Sequence, residues 1–115
     1  MSDLARIEAS DHGAARLVRV SGEIDLSNAR EVMEAIAGAV PDEVAVVFLD
    51  LSDTTYLDST GIAMIFRLAE RLGHRRQDLR LVVPTDGPVR AVLDLTNVQL
   101  VAPIEETVPD TPDQA

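Results

Sequence analysis

Val44-Ala45-Val46-Val47-Phe48-Leu49 is an unbroken apolar run bounded by acidic residues, and Asp50-Leu51-Ser52-Asp53-Thr54-Thr55-Tyr56-Leu57-Asp58-Ser59-Thr60-Gly61 follows it. A run with no polar side to offer water belongs in a sheet covered on both faces, so it predicts a central, parallel strand. The polar segment then leaves the carboxyl end of that strand and leads into a helical pattern over 60–72. There Ile62, Ile65, Phe66, Ala69 and Leu72 share one face, and Gly73 is the expected stop. Met64 and Leu68 lie off that stripe: they are either exposed and adhesive or, the preferred reading, covered by a neighbouring helix or the tail.

Downstream, 79–83 reads as a strand stopped by Pro84. Pro88 suits the first position of a last helix running to about 95, with Asn97 as a left-handed cap and a short element at 100–104. Upstream, 4–9 and 15–21 form a hairpin about Asp11-His12-Gly13. Ser21-Gly22 is expected to break the second strand, leaving Glu23-Ile24-Asp25-Leu26 as a brief extended piece. Ala29, Val32, Met33, Ile36 and Val40 then recur at helical spacing over 28–40, capped by Asp25 or Ser27 and ended by Pro41. The expected fold is α/β: a single domain over 1–104 with a mixed sheet, an opening hairpin and three to four helices. Residues 105–115 read as an acidic, disordered tail.

Composition narrows the chemistry. A chain of 115 residues allows one domain, and 46% hydrophobic residues supply a core without staples. With no cysteine there are no disulfides, zinc–thiolate sites or cysteine nucleophiles. All ten basic residues are arginine, and the absence of lysine excludes a Walker A loop, a Schiff base and the lysine of a receiver domain. Net charge is −10, with Glu105, Glu106, Asp110 and Asp113 leaving −6 for the rest. That balance argues against nucleic acid and anionic membrane surfaces and suits a basic protein partner. A polar, acidic start and no long apolar run make the cytoplasm the expected compartment. His12 in a turn and His74 beside Arg71, Arg75 and Arg76 lack further ligands at metal spacing, so no metal or other cofactor is expected.

The informative segment is 50–61. Asp58 is a good N-cap, which leaves Ser59, Thr60 and Gly61 in the first helical turn with a hydroxyl toward solvent. Unpaired N–H groups and the helix dipole favour a phosphate there, and Gly61 permits close approach by another backbone. The bland alternative is a helix cap with small residues behind it.

Gly22-Glu23-Ile24-Asp25 before the first helix and Leu57-Asp58-Ser59-Thr60-Gly61-Ile62 before the second together resemble the STAS domain family, and within it the anti-sigma factor antagonists. The resemblance spans about residues 4–104 and includes Pro88-Val89-Arg90-Ala91-Val92-Leu93-Asp94-Leu95-Thr96 at the family's last helix. It implies a partner-switching protein. The unmodified form binds an anti-sigma factor that is also an ATP-dependent serine kinase, which frees a sigma factor for transcription. Phosphorylation of the first hydroxyl residue of the motif, here Ser59, releases it, and a metal-dependent serine/threonine phosphatase resets it. Asp25, Asp58, Ser59, Thr60 and Gly61 become the expected partner surface, with a helix cap the other reading of Asp25. The protein is then a substrate and not an enzyme. A transporter accessory subunit or signalling scaffold is the alternative on the same fold. A hydrolase is disfavoured, since Ser59 has no Gly-x-Ser-x-Gly setting and no evident base.

Overall fold

The structure, a computed structural model, describes residues 4–110. Its mixed sheet has six strands: β1 (Ala5–His12), β2 (Ala15–Ile24), β3 (Val46–Asp50), β4 (Thr54–Leu57), β5 (Asp78–Val82) and β6 (Ile104–Glu105). Three helices, α1 (Ala29–Gly38), α2 (Ser59–His74) and α3 (Arg90–Asp94), and one 3-10 turn at Val98–Leu100 complete it. The path across the sheet is β1-β2-β3-β5-β6, and β4 pairs with the far half of β2. Only β1 and β2 are antiparallel; all other pairs are parallel.

The expected central strand is β3, held between β2 and β5. Its alternation sends Val47 and Leu49 into the main core, where Val18, Val20, Leu79 and Leu81 join them beneath Val32, Ile36, Ile65, Leu68 and Leu72. Each such side chain contributes roughly 1.5–3 kcal/mol by leaving water. Phe48 is buried outside that cluster and takes the T-shaped edge of His12 at 5.9 Å. Met64 and Leu68 are buried, as the covered alternative required.

Several local expectations are corrected. Ser21-Gly22 does not end β2: Gly22 takes φ +101°, its N–H reaches Asp53 O at 3.0 Å, and pairing resumes with β4 across a bulge. A Cβ there would collide with the carbonyl of Leu4, so this crossing requires glycine. The N-cap of α1 is Asn28 rather than Asp25 or Ser27. Gly73 does not stop α2. The left-handed residue is Arg76 (φ 60°), with Gln77 N–H on Leu72 O and Arg76 N–H on Gly73 O, a Schellman pair. Pro88 precedes the helix, which starts at Arg90 after Val89, and Asn97 is not left-handed (φ −100°). The polar segment after β3 is not irregular throughout: Thr54–Leu57 within it forms β4. Glu105, grouped by the sequence with the tail, pairs with Val82, and Pro109 O lies 2.6 Å from His12 Nε2. The tail's residues 111–115 lie outside the described residues.

Candidate functional site

The two sequence motifs meet because β2 and β4 run parallel in the register Glu23↔Tyr56 and Ile24↔Leu57. Parallel neighbours sit about 4.8 Å apart, so the next residue on each strand, Asp25 and Asp58, emerges at the same sheet end. The Asp58 N–H points back to Ile24 O at 3.4 Å.

Each aspartate then organises a turn. Asp58 has extended backbone, and its Oδ1 accepts Thr60 N–H at 2.9 Å and Gly61 N–H at 3.1 Å. Its carbonyl takes Ile62 N–H at 3.0 Å. The carboxylate therefore occupies most of the first-turn donors that the sequence had offered to a phosphate. Asp25 Oδ1 accepts both the N–H and the hydroxyl of Ser27, at 2.9 and 2.6 Å. Asp25 does not cap α1 with its side chain; its carbonyl accepts Ala29 N–H at 2.8 Å.

Asn28 is the residue that sequence reading missed as an organiser. Buried to 1% exposure, it accepts Asp25 N–H at 2.9 Å and donates to Glu23 O at 2.8 Å, fixing the loop to the strand end. An asparagine just ahead of an apolar helical pattern was the available signal.

Of the expected surface residues, Ser59 is exposed, while Asp58, Thr60 and Asp25 are half-buried. Gly61 is buried, and the space its missing side chain leaves is filled by Leu57 and Ile24. Its smallness thus serves the packing of α2 on the sheet. Leu26 (80% exposed) and Tyr56 (49%), with Asp25, Ser27 and Asp58, line a shallow depression of about 370 Å³. Neither was singled out from sequence, where an exposed leucine and a core leucine look alike. Leu26 also lines a groove between α1 and α2, so the two hollows share that side chain. No group of three or more His, Cys, Asp or Glu among the described residues could hold a metal ion. No described helix is long and apolar enough to cross a membrane.

These features define a mixed α/β module that presents an exposed serine at a helix start, directly after a capping carboxylate. The chain belongs to the STAS domain family, whose sequence model matches residues 6–111. It is 31% identical over 87 residues to the anti-sigma-F factor antagonist RsfB of Mycobacterium tuberculosis, covering 76% of this chain and 69% of that protein. An anti-sigma factor antagonist from Mycobacterium paratuberculosis has a crystal structure similar to it, with a TM-score of 0.74 and 28% identity, over 90% of this chain and 87% of that one. The Bacillus cell fate determinant SpoIIAA in its phosphorylated form shares the fold, with a TM-score of 0.59 and 16% identity, over 88% of this chain and 90% of that one.

Proposed function

We propose that the chain is an anti-sigma factor antagonist whose unmodified form binds an anti-sigma factor with serine kinase activity, and whose affinity is switched off by phosphorylation at Ser59. The observation that carries this reading is the exposed Ser59 beside Asp58, brought next to Asp25 by the β2–β4 register. The likeness to RsfB supports the antagonist role, and a phosphorylated relative of this fold supports the modification.

The local chemistry explains how phosphate would act. A dianion on Ser59 meets a helix start already occupied by the Asp58 carboxylate, so the fold gives it little neutralisation. It stands instead as added negative charge on a rim that already holds Asp25 and Asp58, at the centre of the contact. Like-charge juxtaposition and desolvation in an interface cost several kcal/mol, which is on the order of a hundredfold or more in affinity. The chain acts as substrate of the kinase and of a metal-dependent serine/threonine phosphatase, and carries no catalytic role itself.

The test is a paired capture with Ser59→Ala and Ser59→Glu proteins as bait in lysate of the native host, followed by ATP treatment of the wild-type complex. The alanine form should retain a histidine-kinase-like ATPase, the glutamate form should lose it, and the wild type should gain one phosphate mapped to Ser59. Equal capture by both forms, or capture of transporter subunits, would favour the accessory or scaffold reading instead.

A further inference from the structure

The groove between α1 and α2 has the opposite sign from the aspartate rim it adjoins. Its volume is about 560 Å³, and Thr60 and Leu26 stand at its lining together with Met33, Met64, Arg30 and Arg67. The carboxylate there, Glu34, is held by Arg71 at 3.0 Å. Arg30 and Arg67 make no ion pair or side-chain hydrogen bond among the described residues, whereas Arg16, Arg19, Arg71, Arg75, Arg80 and Arg90 are each paired with an Asp or Glu. In a chain of net charge −10, two cations left without carboxylates in one groove mark a local reversal of sign.

We infer that this groove receives an acidic amphipathic helix of the protein partner, with a carboxylate held between Arg30 and Arg67 and apolar side chains on Leu26 and Met33. A guanidinium binds carboxylate through paired, charge-assisted hydrogen bonds, which fixes register as well as adding affinity. Methionine side chains adapt to the shape of an incoming apolar face, and a helix in a groove is a recurrent mode of recognition. Thr60, the residue after Ser59, stands in the groove's lining, so one partner can engage both. The identity of that partner rests on the proposed function; the acidic chemistry of the groove's occupant does not. The long-range field of the chain repels acidic molecules, so the two arginines act at short range as a filter on partner choice. That same field disfavours nucleic acid, the other polyanion that arginines could hold.

The test uses a defined probe: a short amphipathic peptide of leucine and glutamate, titrated into isotopically labelled protein and followed by NMR. The arginine side-chain signals of Arg30 and Arg67 and the amides of the facing turns should shift. The double variant Arg30→Glu/Arg67→Glu should weaken binding about tenfold or more, equivalent to at least ~1.4 kcal/mol. The control Arg6→Glu/Arg76→Glu, with the same change in net charge, should bind as wild type. Equal losses in the two double variants would overturn the inference, as would shifts outside the groove, no shifts, or preference for a leucine–lysine peptide or duplex DNA. Because the probe is a peptide, this outcome is independent of whether Ser59 accepts phosphate.

Discussion

Ser59 owes its setting to two neighbours that never touch solvent fully. Asp58 closes the first turn of α2 from within, and Asn28 pins the Asp25 turn to the end of β2. The capping role of Asp58 was legible in the sequence, because an aspartate ahead of small residues and an apolar helix has few other uses. The inward role of Gly61 was not, because it depends on Leu57, whose position follows from a strand pairing distant in sequence. Gly22 offers the sharpest test at this scale. It combines a positive φ with contact against the Leu4 backbone, which has no side-chain torsion by which to yield. Gly22→Ala should destabilise the fold by about 2 kcal/mol or more, read as a lower urea midpoint at unchanged slope. A loss under about 0.5 kcal/mol would show that the bulge can relax.

The left-handed turn that closes α2 comes three residues after the glycine that suggested it, and the reason is physical. Gly73 faces open space within a continuing helix, while Gln77, buried just beyond, donates to Pro41 O and Val44 O at 2.8 Å each. Those bonds, with the Schellman pair, place the reversal at Arg76 against the arginine's own preference. Propensity read from Gly73 alone could not see the carbonyls that Gln77 would reach. Two substitutions follow: Gly73→Ala and Arg76→Gly should each stabilise the protein, by about 0.5–1 kcal/mol. Thermal unfolding of the single and double variants checks both, and a fall in melting temperature for Arg76→Gly would show that the left-handed arginine is held by something other than backbone geometry. Strand β4 was missed for a similar reason. Thr54-Thr55-Tyr56-Leu57 has β-forming residues, but its partner in β2 lay across a presumed break at Gly22.

Across the whole molecule, stability should grade from the centre of the sheet toward the site. β3 is paired on both sides and supplies Val47 and Leu49 to the core, whereas the four residues of β4 pair with β2 alone. Amides of Thr54–Leu57 should therefore exchange with solvent at least about tenfold faster than those of β3. Equal protection would mean that the site and the core open as one unit. The alternation of apolar runs and helical patterns made the layered architecture legible, since it needs only burial and period. The junction of strands that assembles the site rests on long-range pairing, which no local pattern encodes. The sheet's two ends have a further bearing on life at high concentration. β6 is only two residues long, but β1 leaves eight residues on the outer edge, enough to template another chain. Arg6, Glu8 and Asp11 stand exposed along it, so one margin resists polymerisation by being short and the other by being charged.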